Sequence, residues 1–157
     1  DRATVAEEIQ LNIGTLVDLT IAFLPGMVAR KSGAVVNIAS TASYQPVPGM
    51  AVYAATKAFV RSFSEAVWGE VPAGVKVFAV SPGATATEFF DIAGANPAGS
   101  LAPSSDVVDV ILAGLDSAKP APSIIVGTRN RIMARVSRMV PVTAAIKVAG
   151  SMFLPKK

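Results

Sequence analysis

Two short apolar runs, Ala34-Val35-Val36-Asn37-Ile38-Ala39 and Val75-Lys76-Val77-Phe78-Ala79-Val80, flank a stretch whose apolar residues recur every three to four positions. That order leaves few architectures open. Consecutive apolar, β-branched residues suit a strand covered on both faces. Between the runs, Phe59, Phe63, Ala66 and Val67 mark one face of a helix from residue 50 to about 70, closed by Pro72 and Gly74. Two strands joined through a helix form a βαβ unit, so they should run parallel with a right-handed crossover. The expected class is α/β: half of a doubly wound parallel sheet, three strands with flanking helices.

The remaining elements follow the same rules. Ile9, Ile13, Leu16, Val17 and Leu24 predict a helix from residue 4 to about 30, with Pro25 and Gly26 marking its far end. Residues 40–49, with Pro46 and Pro48, are expected to be loop. Residues 84–103 read as a long loop with one short helix, and loops of that length in a compact domain are usually functional. Ser104 or Ser105 is placed to cap a helix carrying Val107, Val108, Ile111, Leu112 and Leu115, and Ser123-Ile124-Ile125-Val126, ended by Gly127, reads as the third strand. Residues 128–157 alternate arginine with apolar residues and are interrupted by Pro141. The division expected is an α/β unit over 1–127 and a basic helical tail over 128–157.

The chain has neither Cys nor His. Disulfides, thiol nucleophiles, thiolate metal sites and the usual imidazole base are therefore excluded, no metal site is expected, and acid–base work must rest on Tyr, Lys, Asp or Glu. No uninterrupted apolar run approaches the roughly 18 residues of a membrane span, and the first ten residues are charged rather than signal-like. A cytoplasmic protein is the expectation. The net charge of +3 is mild, with the basic residues late in the chain (Arg129, Arg131, Arg135, Arg138, Lys147, Lys156, Lys157), and no nucleic-acid partner is expected.

The residues with most chemical content are Tyr53 and Lys57, four apart at the start of the second helix. That spacing puts phenol and ammonium on one helical face. A phenol ionises near pH 10, and a neighbouring cation lowers that value, so such a Tyr can exchange a proton with an alcohol or carbonyl oxygen. Ser40 stands thirteen residues earlier, where the first strand ends and a parallel sheet presents its ligand-binding edge. Its hydroxyl could orient a substrate oxygen while Tyr53 handles the proton. Ser43 competes for that role on composition, and only the spacing favours Ser40.

The block Val35-Val36-Asn37-Ile38-Ala39-Ser40, then Pro48-Gly49, then Tyr53-Ala54-Ala55-Thr56-Lys57-Ala58 resembles the active-site stretch of the short-chain dehydrogenase/reductase family. The resemblance implies Tyr53 as acid/base, Lys57 as the group that lowers its pKa and holds the nicotinamide ribose, and Ser40 as the residue orienting the substrate carbonyl. Leu11-Asn12-Ile13-Gly14-Thr15 is similar to the family's helix whose Asn completes the catalytic group, so Asn12 would hold a water linking Lys57 to solvent. Asn is a poor choice in mid-helix. Ser81-Pro82-Gly83-Ala84-Thr85-Ala86-Thr87 resembles the family's Pro-Gly turn. By that likeness Pro82 and Gly83 bring backbone close to the cofactor, and Thr85 and Thr87 meet the nicotinamide amide; Phe89 and Phe90 either cover the substrate or belong to the core.

What the resemblance implies is an NAD(P)-dependent oxidoreductase interconverting a ketone and a secondary alcohol, a small-molecule partner. No Gly-x-x-x-Gly-x-Gly turn occurs here, so NAD and NADP are not distinguished. The chain reads as the C-terminal, catalytic half of such a domain, beginning at a helix, with residues 34–39 expected as an open strand edge. The alternative function is a truncated or non-catalytic homologue acting as a folding or interaction partner. The family likeness also implies a homo-oligomer, at least a dimer, through the two long helices. The basic tail suits either a solvated helix folded over the substrate pocket, the favoured reading, or contact with an anionic membrane surface.

Overall fold

Alternate residues of β2 (Val75–Ser81) face two different layers of helices, and this strand organises the domain. A computed structural model describes residues 1–93 and 100–154, without the side chains of residues 152 and 153. β2 lies between β1 (Gly33–Ile38) and β3 (Ser123–Ile125), and both pairings are parallel, with Val35 opposite Val77 and Val80 opposite Ile124. Three parallel strands with helices on both faces is the α/β arrangement expected from the sequence. Val75 and Val77 pack with Val67, Phe63, Leu24 and Met27 from α2 (Thr15–Ala29) and α3 (Ala51–Glu70). Phe78 and Val80 point the other way, onto Val107, Ile111 and Leu115 of α5 (Ser104–Asp116). Val77, Phe78, Ala79 and Val80 are completely buried, each larger side chain contributing about 1.5–3 kcal/mol of hydrophobic stabilisation. Gly114 lets α5 approach this closely, since a Cβ there would stand 2.7 Å from Phe78 Cζ.

The first long helix is interrupted. α1 (Arg2–Ile9), capped by the Asp1 carboxylate on the amides of Ala3 and Thr4, passes through a π-helical turn (Gln10–Gly14) into α2. Pro25 and Gly26 do not end it: the helix continues to Ala29 and turns out at Lys31, whose φ is 53°. Ile21 and Pro25 both lie on the exposed side, so the carbonyl that Pro25 leaves without a donor faces solvent. No uninterrupted apolar run of a membrane span's length occurs, but the joined helices form one long apolar stretch. Arg2–Ala29 is long and apolar enough, by length and composition, to cross a membrane. It instead packs along β1 and α3, as a layer helix of the α/β fold does.

β1 has a strand on one side only among the described residues, and Ile38 is exposed there. Asn37 is buried and donates to Ser64 Oγ at 2.9 Å, which in turn donates to the Val60 carbonyl, so the strand's one polar side chain is satisfied by α3. Neither Ser104 nor Ser105 caps α5; its N-cap is Pro103, and no side chain closes the end. Ala102 pairs with Thr85 and exchanges backbone hydrogen bonds with Ala84 and Ala86, which fixes the entry directly before the helix. The long loop holds a short helix, α4 (Phe89–Ile92). Residues 94–99, including Gly94, Pro97 and Gly99, lie outside the described residues, as do Lys156 and Lys157. The tail forms α6 (Thr128–Met139) and α7 (Val142–Phe153), separated at Pro141.

Candidate active site

Because β1 and β2 run parallel, both finish on the same edge of the sheet, and the chain leaves each strand toward one point. Thr41 N–H donates to the Pro82 carbonyl at 2.9 Å, tying the segment after β1 to the turn after β2. Ser40 is the N-cap of a 3-10 turn (Thr41–Tyr44), and its Oγ accepts from Ala42 N–H at 3.1 Å. α3 starts at Ala51, which puts Tyr53 in its first turn, where the positive end of the helix dipole favours negative charge. The Ser40 side chain also acts on the phenol, favouring its ionised form.

One turn further along α3, Lys57 Nζ lies 5.8 Å from the centroid of the Tyr53 ring and donates to the Ile38 carbonyl at 2.9 Å. The π-helical turn carries Asn12 toward α3, where its Nδ2 donates to Thr56 Oγ1 at 3.1 Å; Thr56, buried, donates to the Tyr53 carbonyl at 2.8 Å. Asn12 and Lys57 share the wall of one open groove of about 430 Å³ with Leu16 and Ile38. A π-turn widens a helix locally and recurs at functional sites. Here it resolves the cost of an Asn in mid-helix by giving its amide a partner.

Burial dominates the electrostatics of the pair. The Tyr53 pKa is raised, first by burial, with the Ser40 side chain acting against this and the Glu8 carboxylate adding to it. Burial likewise lowers the Lys57 pKa, and Glu8 opposes that. The balance of burial, Ser40 and Glu8 thus favours the protonated phenol. Desolvation of the half-buried phenol is the larger effect, and it outweighs the influence of Ser40.

The turn after β2 is braced by α6 and by its own side chains. A Cβ on Gly83 would stand 2.5 Å from Asn130 Nδ2, so the close approach this glycine permits is that of α6; Asn130 also donates to the Val126 carbonyl at 2.9 Å. Pro82 accepts from Thr41, Thr85 Oγ1 donates to the Gly83 carbonyl at 3.0 Å, and Thr87 Oγ1 accepts from Phe89 N–H at 3.4 Å at the start of α4. That short helix sets the Phe89 ring 5.3 Å from the Tyr53 ring, centroid to centroid, with Phe90 edge-on to Phe89. Phe89 remains 36% exposed, so it lies at the mouth of the site and outside the core.

Of the two candidate serines, Ser40 acts on the phenol. Ser43 is buried, has no hydrogen-bond partner for its hydroxyl among the described residues, and faces a second cavity of about 570 Å³ with Tyr44, Val47, Ala54 and Ile146. Sequence reasoning missed Glu8, Thr56 and Asn130. Thr56 had a signal, being three residues from Tyr53 on a helix and hence on its side; Glu8 and Asn130 arrive from distant segments and had none. Among the described residues no cluster of acidic side chains could hold a metal ion.

A family model described as short chain dehydrogenase matches residues 1–97. The very-long-chain 3-oxoacyl-CoA reductase of Mus musculus is 38% identical over 90 residues, covering 57% of this chain and 29% of that protein. Among solved structures, a short-chain dehydrogenase from Burkholderia cenocepacia in complex with NADP superposes with TM-score 0.77 at 23% identity over 99% of this chain and 63% of that one. A short-chain dehydrogenase from Sphingobium yanoikuyae in complex with NADPH gives TM-score 0.70 at 34% identity over 83% of this chain and 52% of that one. The chain therefore spans less than a third of the curated relative's length and about half to two thirds of the length of these structures.

Proposed function

This chain belongs to the short-chain dehydrogenase family, and from that premise we propose that it provides the catalytic half of an NAD(P)-dependent oxidoreductase interconverting a ketone and a secondary alcohol, with Tyr53 as acid/base. The observation that carries this reading is Tyr53 in the first turn of α3 with Lys57 Nζ 5.8 Å from its ring, at the sheet edge where β1 leads into Ser40. The donor set suits a nicotinamide riboside: Lys57 offers an ammonium to ribose hydroxyls, and the backbone at Thr85 and the hydroxyl of Thr87 would meet the carboxamide. A bound nicotinamide supplies or accepts the hydride.

The protein's own part is to hold the substrate oxygen and move one proton. Ser40 Oγ donates to that oxygen and keeps it within reach of the Tyr53 hydroxyl, Oη. With its pKa raised by burial, Tyr53 stays protonated at neutral pH and is ready to give its proton to an oxygen gaining negative charge, which favours reduction of a carbonyl. Asn12, fixed through Thr56, places an amide in the groove that Lys57 lines and holds the water through which the proton is replenished. Phe89 covers the phenol on the substrate side and excludes bulk water. The exposed apolar residues on the long helices, among them Leu19 and Phe23 on α2 and Phe59 on α3, are the surfaces through which the protein forms a homo-oligomer.

The direct test compares Ser40→Ala with Ser43→Ala in the natural protein, following NAD(P)H consumption with a panel of ketones. Ser40→Ala is expected to lower kcat roughly 10- to 100-fold through loss of an orienting hydrogen bond, and Ser43→Ala to change it less than about threefold. A larger loss at Ser43 overturns the assignment. The 157 residues alone are expected to show no NAD(P)H affinity in calorimetry, because the sequence holds no Gly-rich turn at a helix N-terminus to take a diphosphate; micromolar binding refutes this. The alternative reading, a non-catalytic homologue, predicts no turnover in the natural protein with either nucleotide.

A further inference from the structure

Charge in this chain is segregated. All eleven Asp and Glu lie within the first 127 residues, while seven of the fourteen Lys and Arg lie in the last thirty. The tail is therefore purely cationic and the α/β unit net negative. α6 divides these charges by face. Ala134 is buried, and Asn130 and Ser137 are half-buried on the side toward β3 and the catalytic turn. The outer side carries Ile132, Val136 and Met139, spaced i, i+4, i+7, with exposures of 55%, 46% and 84%. Arg129, Arg131, Arg135 and Arg138 are all exposed, and none forms a salt bridge among the described residues.

We propose that the outer face of α6 is a docking surface for an anionic lipid bilayer. A helix with an outward apolar stripe bordered by arginines lies in the interfacial plane, its apolar residues among the acyl chains and its guanidinium groups among the phosphates. A second copy of this chain is a poorer occupant, because a self-complementary interface would set the unneutralised arginines against each other. Nucleic acid is poorer still: α6 has no aromatic residue on which a base could stack, and the stripe between its arginines is aliphatic. With Asn130 packed on Gly83, the helix has its inner side on the catalytic turn and its outer side on the membrane, about 10 Å apart.

The test is co-sedimentation of the natural protein with vesicles of phosphatidylcholine alone or with about a third phosphatidylserine. Binding is expected only to the anionic vesicles, weakening as salt rises. The triple substitution Arg131→Gln, Arg135→Gln, Arg138→Gln is expected to weaken it at least about tenfold, and Met139→Asp to weaken it similarly at fixed charge density of the lipid. All four residues are exposed, so an unchanged melting temperature checks that each variant is folded. Equal binding to neutral vesicles, insensitivity to the arginine substitutions, or binding to RNA in preference to anionic vesicles overturns the proposal. So does absence of vesicle binding together with self-association that the same variants abolish.

Discussion

Tyr53→Phe in the natural protein is expected to lower turnover by roughly 10²–10⁴-fold, the range typical of lost general acid–base catalysis. The substitution removes one oxygen and keeps the ring, so the contact with Phe89 at 5.3 Å and the packing of the first turn of α3 survive. What disappears is the proton that the substrate oxygen must gain or lose. Nucleotide affinity is expected to change little, because Lys57 and the turn after β2 are untouched. The loss should therefore appear in kcat at saturating nucleotide. Near wild-type turnover overturns the role of Tyr53, whereas a loss confined to KM assigns it to binding and removes it from the chemistry.

Which parts of this site were legible follows from where the information resides. Tyr53 and Lys57 are joined by helical geometry alone, and Ser40 reaches them because a parallel strand must end at the edge where the following helix begins; local spacing and one topological rule place all three. Asn12 was legible as a poor helix residue, but the π-helical turn that aims it at Thr56 was not, because a one-residue widening leaves no periodic trace in so short a stretch. Pro25 misled for a related reason: proline ends a helix only where the carbonyl it strands has nowhere to go, and exposure is a property of the fold. At Gly83 a Cβ would stand 2.5 Å from Asn130 Nδ2, a close approach the sequence does not signal. No local rule joins residues 83 and 130. The same holds for the Tyr53 pKa, which burial, a property spacing does not report, raises.

That balance of burial and charge sets the expected behaviour of Lys57→Ala. Alcohol oxidation needs Tyr53 as a base, so its rate rises with pH as the phenol ionises; carbonyl reduction needs the phenol protonated, so its rate falls over the same range. Burial raises the Tyr53 pKa and Ser40 lowers it. Whatever cationic assistance Lys57 gives also favours the phenolate, so removing it moves the ionisation to still higher pH. The rising limb for oxidation should therefore shift to higher pH at saturating nucleotide, and reduction should retain its activity further into the alkaline range. Nucleotide affinity should fall roughly 10- to 100-fold, the value of a lost hydrogen bond from a charged donor. Lys57→Arg, which keeps the charge while displacing the donor, is expected to restore the position of the limb more fully than the affinity. Profiles of kcat against pH for the natural protein and both variants, in each direction, decide the matter. An oxidation limb that stays in place in Lys57→Ala while affinity drops would confine Lys57 to holding the ribose and leave the tuning of Tyr53 to burial, Ser40 and Glu8.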